Sequence, residues 1–429
     1  MRVWLINPSE PLPSDSKGAR LQRTGQLAEA LVARGHEVVY WSGNFNHFTK
    51  RNRFPSETVL EHRERYQIRL LHGPTYSNAV SLRRIAHHYR VARGFLRCAG
   101  GLTPPDLIYS SVGPIETSAA AARFARPRGI PLVLDVRDLW PDVFVDVLPR
   151  WTRGPARWAL WPMDRGIRYA CRSATAIIAT GQRFLDWGLA KAGRPQGPLD
   201  RHFPQACDSR PPSPDLLDDA RELWRRHGID GSSDAFTACF FGAVGTHAEI
   251  PTVIEAARRL RNEGRSIRFV VCGTGDCLAK YKRMAEGIDG VVFPGWVGAA
   301  EIWTLMRMAR TGLAPYRNSK DFRSSLPNKS IEYLSAGLPL LSSLTGELER
   351  LLAEHGCGVT YAEGDSGSLV TALEKLFDDG ARLETMAANA FALYREKFTA
   401  EKVYGELCGY LEDLASRGRR GEKGSENVA

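Results

Sequence analysis

The stretch Asp321-Phe-Arg-Ser-Ser-Leu-Pro-Asn-Lys-Ser-Ile-Glu-Tyr-Leu-Ser-Ala-Gly337 reads as a short helix with a charged start. Ser324, Ser325 and Pro327 stand where the helix would begin, because hydroxyls cap free amides and proline fits the first turn. Ile331, Leu334 and Ser335 recur at helical spacing, and Gly337 supplies the left-handed residue that stops the helix. A helix start leaves backbone N–H groups open to an anion, and Lys329 adds a full positive charge one turn in. Glu332 lies further along, where a carboxylate can accept hydrogen bonds from a diol while the helix start holds phosphate. That combination suits a nucleotide.

Outward from this helix, strand and helix signals alternate. Phe236 to Phe241 reads as a strand, Gly242 to Gly245 as a loop, Ile250 to Arg261 as a helix and Arg268 to Cys272 as a strand ending in Gly273-Thr-Gly. Val291 to Phe293, Gly312 to Ala314 and Leu338 to Ser342 are further short apolar runs. The first half repeats the theme. Val3 to Ile6 is a strand, Leu21, Leu27, Ala28 and Leu31 mark a helix stopped at Gly35, and Glu37 to Trp41 is the next strand. Leu107 to Ser110, a helix through Ala119 to Arg126, Leu132 to Asp135 and Ala176 to Ala179 continue it. Strand–helix–strand crossovers build parallel sheets, so the expected class is α/β with two doubly wound domains. Their bounds are 1–205 and 235–398. The polar, proline-rich stretch 206–234, with Pro211-Pro-Ser-Pro, reads as a linker. A helix over 399–416 is expected to pack back on the first domain, and 417–429 reads as a frayed tail. Ligands of such folds bind beyond the carboxyl ends of the strands, and a cleft between the halves is the expected place.

The 429 residues carry 58 lysines and arginines against 48 aspartates and glutamates, a net charge of +10 that favours anionic partners. Eight cysteines are scattered without a Cys-x-x-Cys pair, several in apolar runs such as Thr237-Ala-Cys-Phe-Phe, which fits buried thiols in a reducing compartment. The opening Met1-Arg-Val-Trp-Leu-Ile-Asn has too short an apolar run for a signal peptide, and no segment approaches the ~20 apolar residues of a membrane span. A cytoplasmic protein, soluble or peripheral on the inner face of the membrane, is the expectation. No aspartate-rich motif or His/Cys cluster suggests a metal site.

Several segments, in order along nearly the whole chain, resemble the retaining glycosyltransferases of family 4, which have the two-domain GT-B fold. The carriers are Gln26-Leu-Ala-Glu-Ala-Leu-Val-Ala-Arg-Gly-His-Glu-Val, Leu132-Val-Leu-Asp-Val-Arg-Asp-Leu-Trp-Pro, Phe241-Gly-Ala-Val-Gly, Val271-Cys-Gly-Thr-Gly, Phe293-Pro-Gly-Trp-Val and the opening stretch with Ala336-Gly-Leu-Pro339. The Asp-Leu-Trp-Pro loop and Leu-Pro-Asn-Lys helix most resemble bacterial enzymes that build O-antigen, colanic acid or other surface polysaccharides. The resemblance implies two Rossmann-like domains facing across a cleft, the first binding acceptor and the second the nucleotide-sugar donor. The partners it implies are a nucleotide sugar, with uridine as base, and a lipid-linked or other glycan acceptor. No metal or further cofactor is expected, nor nucleic acid, because no recognition motif accompanies the positive charge.

Carried onto this chain, Glu332 matches the family's ribose-binding glutamate, while the partner glutamate eight positions earlier falls on Ser324. The arginine and lysine that often hold the diphosphate fall near Ala243 and Ala248. Lys329, Arg323 and the amides around Ser324, Ser325 and Asn328 are the expected replacements. Gly242 and Gly245 lie where small residues admit phosphate, and Trp296 borders the base site unless it merely fills core. Gly18, flanked by Lys17 and Arg20, follows the first strand, where a missing side chain admits backbone to diphosphate or acceptor. Arg137 falls where many relatives carry histidine, and Asp138 follows. A guanidinium cannot act as a base but can contact phosphate or sugar hydroxyls, and Asp138 can orient acceptor or Arg137. A purely structural Arg–Asp pair is the alternative. Arg137, Asp138 and Lys329 are thus the expected catalytic set, with no protein nucleophile. Two rivals remain: a non-catalytic sugar-nucleotide or glycan binder, suggested by the substitutions at Ser324, Ala243 and Ala248, and an epimerase of the same shape, for which no acid/base pair is evident.

Two basic segments concern the acceptor's source. In 82–97, Leu82, Ile85, Tyr89, Ala92 and Leu96 follow helical spacing, Arg83, His87, Arg90 and Arg97 share another face, and no acid occurs from Arg83 to Arg97. Such helices lie on anionic membrane surfaces. Arg150 to Arg172 holds six arginines, one aspartate (Asp164) and Trp151, Trp158 and Trp161. Tryptophan with arginine favours interfaces, but an internal helix packing on its own domain is the expectation here.

Overall fold

The computed structural model describes residues 1–16, 19–77, 81–146, 148–230 and 235–426. The chain divides into two units, Met1–Pro204 with Glu401–Ala429, and Gln205–Ala400. The first unit contains β1 (Arg2–Ile6), β2 (Glu37–Gly43), β3 (Phe45–Asn46), β4 (Arg51–Asn52), β5 (Thr58–Arg63), β6 (Tyr66–Leu71), β7 (Leu107–Val112), β8 (Leu132–Val136), β9 (Ala176–Ala179) and β10 (Arg201–His202). Eight of these form one sheet in the order β10-β9-β8-β7-β1-β2-β6-β5, and β3 pairs with β4 in a small hairpin. Only the edge strand β5 runs antiparallel within the large sheet. Helices pack on the sheet, and the inner strands β7 and β8 are buried at every residue rather than at alternate ones. Trp4 on β1 meets Trp41 on β2 at 5.2 Å between ring centroids and Phe124 at 5.2 Å, while Phe95 closes the cluster edge-on, 5.0 Å from Trp41.

The last helix, Ala400–Glu426, belongs to this unit and continues through residues read as a tail. It buries Tyr404, Leu407 and Leu411, and the Tyr410 hydroxyl donates to the Leu199 carbonyl at 2.5 Å. Glu412 accepts two hydrogen bonds from Arg34, both 2.8 Å, and lies 2.7 Å from His36.

The second unit contains β11 (Phe236–Phe241), β12 (Ile267–Cys272), β13 (Val291–Gly295), β14 (Thr311–Ala314), β15 (Leu340–Ser342) and β16 (Gly358–Thr360). They form a wholly parallel sheet in the order β13-β12-β11-β14-β15-β16. The order reverses between β11 and β14, which opens a crevice at their carboxyl ends.

Three segments bear on the sequence reading. Within the stretch read as a linker, helix Pro214–Arg226 buries Leu217, Ala220 and Trp224, whose indole N–H donates to the Glu301 carbonyl at 2.9 Å. The helix is charged, and its apolar residues recur at i, i+3 and i+7 on the buried face. In helix Leu82–Ala99 His87, read with the basic face, is buried beside His88, while Leu82, Ile85 and Tyr89 are exposed together with Arg83, Arg90 and Arg97. Within 150–172, helix Trp161–Ser173 packs on its own domain through buried Ile167, Ala170 and Cys171, but the three indoles point outward, with Trp151 83% exposed, Trp158 84% and Trp161 56%. No helix of the described residues is long and apolar enough to cross a membrane.

Candidate functional site

Lys329 lies at the switch point of the second sheet. Its helix is Asn328–Ser335, entered through Pro327, and no side chain caps the start. Ser324 and Ser325 therefore do not cap it; they are half-buried in the link from the preceding turn Lys320–Arg323. Gly337 ends the helix as expected, with φ +68°, while the Leu338 amide donates to the Tyr333 carbonyl at 2.9 Å. Ile331, Tyr333 and Leu334 are buried, and the Tyr333 hydroxyl donates to the Cys239 and Leu313 carbonyls of β11 and β14 at 3.0 and 3.1 Å. This anchors the helix across the two strands that flank the crevice.

The Lys329 ammonium donates to the Tyr316 hydroxyl and lies over two rings, 4.6 Å from the Phe240 centroid and 4.5 Å from that of Tyr316. It also sits against Gly242, where a Cβ would come within 2.6 Å of Nζ. Gly242 has φ +151°. Only glycine leaves the lysine its position there. Behind Gly242 the loops after β11, β12 and β13 are joined edge to edge. Gly242 N donates to the Cys272 carbonyl at 3.0 Å, Val244 N to Thr274 at 2.9 Å and Gly273 N to Gly295 at 2.6 Å. A Cβ on Gly273 would lie 1.8 Å from the Gly242 carbonyl oxygen, so the approach of the two loops is as close as backbone permits.

On the other side of Lys329, His247, Tyr316 and Phe322 stack nearly parallel, with Tyr316 and Phe322 centroids 4.7 Å apart. The His247 ring also covers Gly245. Burial first, and then the Lys329 charge, hold the His247 pKa below its ordinary value, so it is a neutral ring in a stack rather than a second cation. Glu332 is half-buried on the helix, and Asn328 and Arg323 are exposed. Trp296 follows β13, two strands from β11, and is 70% exposed, so it does not fill core.

In the first unit the carboxyl ends of β1, β7 and β8 meet over a buried ionic network. Arg137 donates from Nε to Asp135 at 2.5 Å, from Nη1 to Glu10, and from Nη2 to Thr24 at 2.8 Å and the Tyr109 hydroxyl at 3.1 Å. Arg23 Nε donates to the same Asp135 oxygen at 2.9 Å, with side-chain exposures of 1% and 0%. Glu10 also accepts from the Thr24 amide at 2.9 Å, which ties it to the start of helix Arg23–Ala33. Burial works against the Asp135 charge, but Arg23 and Arg137 outweigh it and hold the carboxyl below its usual range. Arg137 is thus engaged through Nε, Nη1 and Nη2 by side chains of its own unit. Asp138 makes no hydrogen bond to Arg137. It is exposed, with Oδ2 3.7 Å from where a Cβ on Gly113 would lie, yet desolvation by surrounding protein raises its pKa against the pull of Arg137 and Arg84. Gly18, and Lys17 beside it, lie outside the described residues. Among the described residues no three His, Cys, Asp or Glu side chains are grouped to hold a metal ion.

Two family models account for most of the chain. The model described as "Glycosyl transferase 4-like domain" matches residues 21–200, and that described as "Glycosyl transferases group 1" matches residues 235–379. The chain belongs to the GT-B glycosyltransferases. The glycosyltransferase is 25% identical over 310 residues to an alpha-D-kanosaminyltransferase of Streptomyces kanamyceticus, spanning 70% of this chain and 76% of that one. It is 28% identical over 166 residues to AmsK, an amylovoran biosynthesis glycosyltransferase of Erwinia amylovora, spanning 38% and 41%. Its fold is similar to that of Anabaena HepE in complex with UDP-glucose, with a TM-score of 0.64 at 17% identity, over 97% and 100% of the two chains.

Sequence reasoning about the glycosyltransferase missed Tyr316, Phe240 and Phe322 around Lys329, and Glu10, Thr24, Tyr109 and Arg23 around Arg137. One signal was available for each group: Tyr316 follows the switch-point strand, and Asp135 is an acid inside the apolar run Leu132-Val-Leu-Asp-Val.

Proposed function

We propose that this glycosyltransferase moves a sugar, with retention, from a UDP-linked donor to a lipid-linked or other glycan acceptor in cell-surface polysaccharide synthesis. The observation that carries the reading is Lys329 held at the β11/β14 switch point beside Gly242, on the first turn of a helix that also bears Glu332. In this reading the diphosphate lies against the Gly242–Gly245 loop, with Lys329, the helix amides and Arg323 neutralising charge as the sugar becomes oxocarbenium-like. Glu332 accepts from the ribose diol, and Trp296 stacks on the base. Asp138, on the acceptor side, orients the incoming hydroxyl, and the departing phosphate accepts its proton on the same face. Arg137 acts through the loop it fixes. The complex of HepE with UDP-glucose and the amylovoran role of AmsK agree with the donor and product classes chosen.

The test is release of nucleoside diphosphate from a panel of nucleotide sugars with lipid-linked acceptors. Glu332→Ala raises the KM for the donor roughly 10- to 100-fold, the loss of charge-assisted hydrogen bonds, with a smaller effect on kcat. Wild-type kinetics in that variant would remove Glu332 from the donor site.

The enzyme works, in the same reading, at the cytoplasmic face of a membrane. Leu82, Ile85 and Tyr89 project from helix Leu82–Ala99 beside Arg83, Arg90 and Arg93, all exposed, which supports a peripheral contact there. Arg97 is excluded because it bonds Glu57 at 2.5 and 2.6 Å.

A further inference from the structure

Three helices of the first unit lie side by side: Leu82–Ala99 packs on Ile115–Ala125, which packs on Trp161–Ser173. On the third helix Trp161, Arg165, Arg168, Tyr169 and Arg172 fall on one face, at i, i+4, i+7, i+8 and i+11. Together with Arg126 they line a cavity of about 430 Å³. Its one acid, Asp164, is already engaged by Arg168 at 2.6 Å and Lys191 at 2.6 Å. Among the described residues Arg126, Arg165 and Arg172 form no ion pair, although Arg165 lies over the Trp161 ring at 5.4 Å. Arg123 adds a further cation from the neighbouring helix, 5.9 Å from the Tyr169 ring.

Immediately before this face, the turn Arg150–Thr152 and helix Arg153–Ala159 carry Trp151 and Trp158 almost wholly in water. The segment is not loose: Arg153 donates to the Leu148 and Asp146 carbonyls at 3.0 and 2.9 Å. Three large indoles held outward on an ordered segment cost free energy unless something covers them. Tryptophan and arginine together are the side chains of a bilayer interface, where the indole sits at headgroup depth and the guanidinium meets phosphate.

We propose that this groove binds the phosphate headgroup of an anionic phospholipid while Trp151, Trp158 and Trp161 insert at the bilayer interface. The charge is complementary, the guanidinium fork suits phosphate oxygens, and Trp161 lines the cavity, with Trp151 and Trp158 on the segment that leads into its helix. The inference is independent of the donor reading, because lipid binding is measured without nucleotide.

The full-length protein is sedimented with vesicles of phosphatidylcholine alone and with equimolar phosphatidylglycerol, at low and high salt. Wild type binds the anionic vesicles, more weakly at high salt. Replacing Arg126, Arg165 and Arg172 by Gln lowers that affinity about 100-fold, at the usual contribution of an arginine near an anionic surface. Trp151→Ser, Trp158→Ser and Trp161→Ser combined lowers binding to both vesicle types about 10-fold or more. Arg165→Lys with Arg172→Lys retains most of the anionic preference, and thermal melting shared by all variants shows that the fold is intact. Equal wild-type binding to neutral and anionic vesicles overturns the headgroup site. Unchanged binding in the arginine variant, with loss only on replacing Arg83, Arg90 and Arg93, moves the contact to helix Leu82–Ala99 and overturns the groove. Self-association by analytical ultracentrifugation that the tryptophan variant abolishes, with vesicle binding intact, makes the patch an interface between copies. Release from vesicles by millimolar inorganic phosphate at constant ionic strength makes it a free-phosphate site.

Discussion

Lys329→Met lowers kcat for sugar transfer about 100- to 1,000-fold, the range for removing one preorganised donor to a developing anion. Methionine keeps the unbranched stem against Phe240 and Tyr316, so the loss isolates the charge. The same substitution weakens binding of the nucleoside diphosphate far more than of the nucleoside, as calorimetry with both ligands would read. Equal losses for the two would take Lys329 away from the phosphates. Lys329→Arg is expected to fail as well, because Nζ already lies 2.6 Å from where a Cβ on Gly242 would be, and a guanidinium is wider than an ammonium.

The second large effect is on stability. Asp135→Ala destabilises the first unit by about 3–5 kcal/mol, because Arg23 and Arg137 then remain buried without the carboxylate both of them use. Hydrogen exchange is the suitable measurement, since a two-unit chain has no single unfolding free energy. Protection falls in β1, β7 and β8 and is unchanged in β11 to β14; a uniform fall, or none, would contradict the network's role. The pH dependence follows in sign. A carboxyl held below its usual range in the folded protein contributes stability at neutral pH, and that contribution is lost as pH falls through the ordinary carboxylate range toward the lowered folded value. In the Asp135→Ala variant this part of the acid sensitivity is absent.

The fold was legible because each strand of a parallel sheet is a short apolar run and each helix ends at a recognisable residue. Gly337 and Gly35 are examples, both with positive φ. Lys329 and Gly242 could be nominated separately from local pattern, but their contact could not, since the two stand 87 positions apart in the chain. The same holds for the Tyr316 and Phe322 rings, whose aromatic character looks from sequence like ordinary core. Ser324 and Ser325 misled because hydroxyls next to a proline resemble a cap whether or not the amides reach them; the chain makes a separate turn first. The outward tryptophans of 150–161 were illegible for a different reason: large indoles are buried on average, and only the folded chain shows Trp151 83% exposed and Trp158 84%.

The last helix has a bearing on how the molecule is made. The first unit is complete only when Tyr404, Leu407 and Leu411 reach their seats, and those residues are synthesised after the whole of the second unit. At ordinary elongation rates the interval is roughly 10–40 s, during which the first ~200 residues wait with an apolar seat uncovered. Nascent chains of this protein are therefore most exposed to misassociation late in synthesis, and a stop codon shortly before 400 leaves the first unit as the damaged one although its own 204 residues are all present.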